Sequence, residues 1–349
     1  MLRLPRFRME IPGTIDEAAR LLRELGAQEQ DPGEVGTPAL RVMMVAGGTD
    51  LYPNMKRRQF TPEVLVSLRR AADRTIGTTA TASPAGTFRI GAGATLTRIA
   101  DHPTVRARYA ALAVAAGLVS TPQLRNMGTI GGNICLDTRC NWYNESLFWR
   151  TAEGFCMKTH PDVVCRVATS SPRCLAVASA DTVPALMALG ARVHIESAAG
   201  QRVADVADLY QEDGIRHLTL RRDEIVSEVV LPPAEGWRST YLKARDRSSF
   251  DFPIVGLAAA VRMDGAVVAD ARLAVTAVAS RPVLVDAARA ALVGSRLDDE
   301  AIAAAAEAAF KAARPMDNTS STIAQRKRTV SVFATRALTA LRTDESRAV

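Results

Sequence analysis

All five cysteines of this 349-residue chain fall in one stretch, Cys135, Cys140, Cys156, Cys165 and Cys174, with none before or after it. That confinement constrains the fold more than any other feature, because one segment must be organised around thiols while the rest builds an ordinary core. A reducing compartment disfavours a disulfide framework, and an odd count leaves one thiol over. A bound metal is the better reading. Only Cys135 and Cys140 approach the short C-x2-4-C knuckle of zinc sites, whereas four-iron clusters take thiolates from more varied loops. Spacing alone leaves iron–sulfur, zinc and unliganded buried cysteines all open. Trp142, Tyr143, Phe148 and Trp149 either shield such a centre or simply pack the loop, and His160 reads as a loop residue.

Upstream of the cysteines, three small-residue turns follow one another. Thr14 and Glu17 stand at capping-box spacing before a helix from about Ile15 to Leu25, which Gly26 stops. A polar loop then leads to the apolar run Val42–Ala46 and the turn Gly47-Gly48-Thr49-Asp50. Phe88–Ile90 feeds Gly91–Thr95, and Gly128–Asn133 repeats the pattern after a helical stretch around Ala110 to Leu118. Glycines let backbone approach a phosphate closely, and successive N–H groups with a hydroxyl make an anion cradle. Two such cradles predict a pyrophosphate site. None of the turns is GxGxxG, so the classical dinucleotide fold has no support.

Beyond the cysteine stretch the pattern predicts a helix over 181–190, a strand at Val193–Ile195 and another at Ile225–Leu231. Pro232, Pro233 and Gly236 mark 231–236 as a linker between a unit spanning 1–230, with 135–175 inserted, and a second one spanning 237–349. The second unit has strand-like segments at Val255–Arg262 and Val267–Val278, then helices over Asp299–Ala313 and Thr322–Leu341. The chain carries 44 Lys+Arg against 37 Asp+Glu, and the excess forms only short clusters, Lys56–Arg58 and Arg326–Arg328, which argues against nucleic acid. The Arg326–Arg328 cluster reads as a solvated helix face, with docking of an acidic carrier as the alternative. No apolar run is long enough to cross a bilayer and no apolar stretch follows the N-terminal arginines, so a cytoplasmic protein is expected. The four histidines suggest no hydrolytic triad.

AGGTDL at 46–51, IGAGATL at 90–96, GTIGGN at 128–133, Asp181 in ADTVPALMALGA and Lys243 in YLKARDRSSFDFP together resemble the FAD-binding medium subunit of the molybdenum hydroxylase (xanthine dehydrogenase) family. The resemblance covers essentially the whole chain. It implies an α+β architecture: a two-part FAD-binding domain of the vanillyl-alcohol-oxidase type with an inserted iron–sulfur loop, then a smaller α/β domain of the CO dehydrogenase flavoprotein C-terminal type. It implies FAD pyrophosphate contacts at Met44, Val45, Ala46, Gly47, Gly48, Thr49, Asp50 and Leu51 and at Thr129, Ile130, Gly131, Gly132 and Asn133. Asp181 and Lys243 match positions near the flavin or its ribityl chain, with Ile225 or Val226 as an apolar wall. The residue-level alternatives are a helix N-cap for Asp181 and a surface ion pair for Lys243.

The inserted loop, beginning CLDTRCNWYN, resembles that of the 4-hydroxybenzoyl-CoA reductase beta subunit, where an extra [4Fe–4S] cluster sits. By that resemblance the ligands are Cys140, Cys156, Cys165 and Cys174, with Cys135 spare and nearer the flavin. The resemblance implies a redox relay within a dimer of heterotrimers. Electrons would pass from ferredoxin through the cluster and FAD to a small subunit with two [2Fe–2S] clusters and a large molybdenum-cofactor subunit. A related reading is the aldehyde oxidoreductase type, with electrons flowing outward.

Overall fold

The computed structural model describes residues 2–26, 40–78, 87–160 and 162–343. Most of the polar loop expected after Gly26 lies outside them. A parallel sheet in the order β1-β3-β2 is formed by β1 (Arg8–Glu10), β2 (Val42–Val45) and β3 (Val64–Ser67). Helix Ile15–Gly26 covers it with Ile15, Ala18, Ala19 and Leu22. The Thr-x-x-Glu spacing caps that helix: Thr14 Oγ1 accepts the Glu17 amide at 3.1 Å, and Glu17 Oε2 accepts the Gly13 amide at 2.7 Å. From the C-terminal end of β2 the chain turns through 46–50 into helix Leu51–Lys56 and returns as β3. Ligands of parallel units gather at such strand ends.

An antiparallel sheet follows in the order β4-β5-β8-β6-β7, from β4 (Ile76–Gly77), β5 (Phe88–Gly91), β6 (Arg192–Ser197), β7 (Gly200–Asp205) and β8 (Ile225–Leu231). Helices Ala110–Gly117 and Thr182–Leu189 pack behind it. The first is apolar nearly all round and correspondingly buried; the second is buried at all eight positions and ends on Gly190 at φ 70°.

The last sheet, β12-β11-β10-β9, is antiparallel: β9 (Trp237–Ala244), β10 (Val255–Asp264), β11 (Val267–Thr276) and β12 (Val283–Leu284). Its β10 strand is buried from Val255 to Val261. Leu257, Ala259 and Val261 face helices Asp286–Leu292, Asp299–Ala312 and Ile323–Thr343, while Ala258 and Ala260 join the core of the preceding unit. Strand side chains alternate faces, so an Ala-rich strand lets both layers approach closely. Of the expected linker 231–236, Leu231 ends β8 and the rest joins it to β9, fastened on the way: Pro232 O accepts the Tyr109 hydroxyl at 2.8 Å and Arg108 pairs with Glu235.

The basic run at 326–328 is not a patch. Arg326 is fully buried and donates to the carbonyls of Met316 and Ala277, burial bringing its pKa down to about 10; Lys327 lies 4.5 Å over the Phe310 ring. Helical periodicity separates neighbours in sequence by about 100°, so one of three adjacent cations turns inward.

Candidate cofactor cavity and cysteine cluster

The glycine turns meet because their glycines touch other backbone. A Cβ on Gly47 would stand 2.1 Å from Met127 O, which locks the first turn against the third, and Gly131 abuts Ala92 of the second. The second turn consumes the third turn's amides: Ile130 N donates to Ala94 O and Gly131 N to Ala92 O, both at 3.0 Å, while Gly132 N caps onto Thr129 Oγ1 at 3.1 Å. The expected second cradle is therefore spent inside the protein. By contrast, the amides of Gly47, Gly48, Thr49 and Asp50 donate to no group among the described residues. Gly48 stands at φ 70°, the left-handed conformation on which backbone anion nests are built.

Between these turns, β8 and the loop after β9 lies a cavity of about 290 Å³. Met44, Val45, Ala46, Gly47, Gly48, Thr49, Asp50 and Leu51 line it, with Thr129, Gly131, Gly132, Asn133, Asp181, Ile225 and Val226. Two expected residues do not. Ile130 is fully buried in the main core, because helix Ile130–Ile134 turns its apolar side inward. Lys243 lines the adjoining cleft and reaches the cavity wall only through Asp181, at 2.9 Å.

That ion pair is interior, its side chains 1% and 3% exposed, with Tyr241 donating to Asp181 Oδ1 at 2.8 Å and Lys243 also donating to Leu118 O at 3.0 Å. Burial raises the Asp181 pKa and lowers that of Lys243, each opposed by its partner's charge. Asp181 occupies the N-cap position of helix Thr182–Leu189, yet its carboxylate makes no cap. Asn133 Oδ1 takes the Thr182 amide at 3.2 Å and its hydroxyl at 2.6 Å instead.

Several cavity residues escaped sequence reading. Ser179 Oγ is buried against the cavity with no partner, and its place two residues before Asp181 on an extended segment is the only sequence signal. Phe250, at φ 75°, and Phe252 also line the cavity, and both are exposed. Leu136 and Asp137 continue the wall from Cys135.

The cysteine loop leaves this wall directly. Cys140, Cys156, Cys165 and Cys174 are buried free thiols, and Cys140, Cys165 and Cys174 pack around Tyr143, Met157 and Ala176. Burial pushes Cys140 up to about 11, and charge on Cys156 or Cys165 would add to it; Cys174 stands at about 12, raised by burial and by Cys140 and Cys165 but relieved by Lys158. Cys135 stands apart in the cavity wall, its thiol raised by burial to about 12. Among the described residues no three His, Cys, Asp or Glu converge as ligands of a single ion do. At Zn–S bonds of ~2.3 Å, zinc would require sulfurs roughly 4 Å apart.

Of the loop aromatics, Tyr143 is buried, whereas Phe148 is 75% exposed and Trp149 is exposed beside it, so those two do not shield the thiols. His160 is exposed and stacks on Phe155 at 3.8 Å. The C-terminal unit clasps both ends of the loop: Asn141 N donates to Asn318 O at 2.8 Å and Asn318 Nδ2 to Leu175 O at 2.6 Å.

Free amides on a glycine turn, an orphaned hydroxyl and apolar walls from Met44, Leu68, Ile225 and Val226 fit a diphosphate-linked aromatic cofactor, bound without a GxGxxG turn. Residues 5–234 match the family described as "FAD binding domain in molybdopterin dehydrogenase" and residues 239–341 the "CO dehydrogenase flavoprotein C-terminal domain". The chain belongs to this molybdenum hydroxylase family as its FAD-binding medium subunit, an oxidoreductase subunit. It is 32% identical over 278 residues to the aldehyde oxidoreductase FAD-binding subunit PaoB of Escherichia coli, covering 75% of this chain and 83% of that one. It is 28% identical over 316 residues to the carbon monoxide dehydrogenase medium chain of Hydrogenophaga pseudoflava, covering 90% and 89%. A solved structure of carbon monoxide dehydrogenase from that organism superposes with a TM-score of 0.75 at 27% identity, covering 97% of this chain and 98% of the other.

Gly132 is exposed in the cavity, and a Cβ there would meet only Thr129 Oγ1, at 3.1 Å. Gly132→Val is therefore expected to lower FAD occupancy at least tenfold while shifting the unfolding midpoint little, as flavin absorbance and a denaturant titration of the same sample would show. Full flavin content in this variant would remove Gly132 from the site.

Proposed function

We propose that this chain is an electron relay holding FAD in the cavity and a [4Fe–4S] cluster on Cys140, Cys156, Cys165 and Cys174. The observation that carries this reading is the set of four buried thiols, three of them packed in one cluster, beginning five residues from Cys135 in the cavity wall. Even fully extended, that step spans no more than ~18 Å. Bound FAD would supply exchange between one- and two-electron carriers. The residues hold its diphosphate on the Gly47–Asp50 amides, seat its apolar portion on Met44, Ile225 and Val226, and present Ser179 and Asp181 to its polar groups. Substrate chemistry belongs to a large molybdenum-cofactor subunit, reached through a small subunit with two [2Fe–2S] clusters, in a dimer of heterotrimers.

The relatives named above are an aldehyde oxidoreductase subunit and a dehydrogenase chain, which favours electrons leaving an oxidised substrate and passing outward to a ferredoxin-like carrier. The opposite direction, a 4-hydroxybenzoyl-CoA reductase-like dehydroxylation, rests on CLDTRCNWYN alone. Among the described residues no helix is long and apolar enough to cross a membrane; a cytoplasmic location is part of the proposal. An anaerobic absorption spectrum with flavin, iron, sulfide and zinc quantified on one sample is expected to give about one FAD, four irons and four sulfides per chain. FAD without iron would reduce the chain to an ordinary flavin subunit, and stoichiometric zinc would overturn the cluster.

A further inference from the structure

Between the cavity and the cysteine cluster lies a buried ion pair, Asp137 with Lys158. Lys158 is 2% exposed and stands two residues past Cys156. Its ammonium donates to Asp137 Oδ1 at 2.7 Å, Thr138 Oγ1 at 2.5 Å and Gly214 O at 2.8 Å, and lies 4.5 Å over the Tyr143 ring. Gly214 itself abuts Cys174, where a Cβ would meet the sulfur at 2.7 Å. Asp137 sits at the other end, in the cavity wall, with Oδ2 unpartnered. The cation is thus on the sulfur side and the anion on the cavity side. A second pair has the same polarity: Asp50 lines the cavity, and its buried partner Arg139 directly precedes Cys140.

We propose that the Asp137–Lys158 pair is an electrostatic bias that drives electrons from the flavin toward the cluster. This rests on the reading of the four cysteines as [4Fe–4S] ligands. In a low-dielectric interior each centre responds chiefly to the nearer charge. Lys158 favours an extra electron on the cluster, and Asp137 disfavours one on the flavin. Bound FAD would supply the electrons, and a [4Fe–4S] cluster held by Cys140, Cys156, Cys165 and Cys174 would accept them one at a time, with an external one-electron carrier as the final oxidant; Asp137 and Lys158 would set the direction.

The test is a redox titration of the full-length chain carrying its cofactors, with the reduced cluster followed by electron paramagnetic resonance and the flavin by absorbance. Lys158→Met is expected to lower the cluster potential more than the flavin potential, and Asp137→Asn to raise the flavin potential more than the cluster potential. Each variant narrows the gap, by at least tenfold in the electron distribution, or 59 mV for a one-electron couple. A merely structural role would not move opposite members of the pair. Unchanged potentials in both variants at full iron, sulfide and flavin content would overturn the bias while leaving the relay intact. A wild-type chain without iron would overturn the cluster reading and the bias with it. If Lys158→Met loses its iron, Asp137→Asn alone decides: an unmoved gap there overturns the proposal.

Discussion

Lys243→Met is expected to destabilise the protein by about 3–5 kcal/mol, because it removes the ion-pair partner of the buried Asp181 carboxylate and leaves the Tyr241 hydroxyl as its hydrogen-bond donor. The loss does not measure the worth of the pair. Taking both charges out of water has already cost several kcal/mol per ion, so most of the penalty comes from stranding one of them. The double variant Asp181→Asn with Lys243→Met should recover much of the loss. Urea unfolding of the two variants beside wild type checks this. A cost below about 1 kcal/mol in the single variant would place the pair in contact with water, as for a surface ion pair.

Cys140→Ser is expected to abolish iron binding while the chain keeps its flavin, and Cys135→Ser to keep both. The thiols are not interchangeable: Cys140 is buried in one cluster with Cys165 and Cys174, whereas Cys135 lies in the cavity wall. A serine hydroxyl is a hard, neutral donor that poorly replaces a thiolate. Iron, sulfide and flavin analyses of both variants decide the matter. Four irons retained by Cys140→Ser would sink the ligand set, and iron lost from Cys135→Ser would redraw it.

Much of this could be read directly from residue order. The Thr14–Glu17 cap, the strand at Val42, the helix ending at Gly190 and the helices Asp299–Ala312 and Ile323–Thr343 follow from local spacing and period, whereas helix Asp286–Leu292 does not. Strand β9 was missed: Trp237–Ala244 alternates only weakly and is half-buried. The cavity's first wall was legible because glycine and hydroxyl residues cluster there in sequence. Ser179, Asp137 and Phe252 were not, since each is brought to the cavity from a different element and carries no local signature.

Residue order alone determined that thiols would be concentrated in one segment, that three glycine turns would precede it, and that the chain would resemble a flavin subunit. Tertiary structure decided what those turns do. The first and third read as phosphate cradles in isolation, but the second turn's carbonyls take the amides at Ile130 and Gly131, leaving the run Gly47–Asp50 without a partner among the described residues. It also turned Arg326 inward and made Asp181 and Lys243 an interior pair. The physical reason is common to all three: whether a polar group is available depends on whether burial obliges it to find a partner within the protein, and that partner comes from a segment distant in sequence.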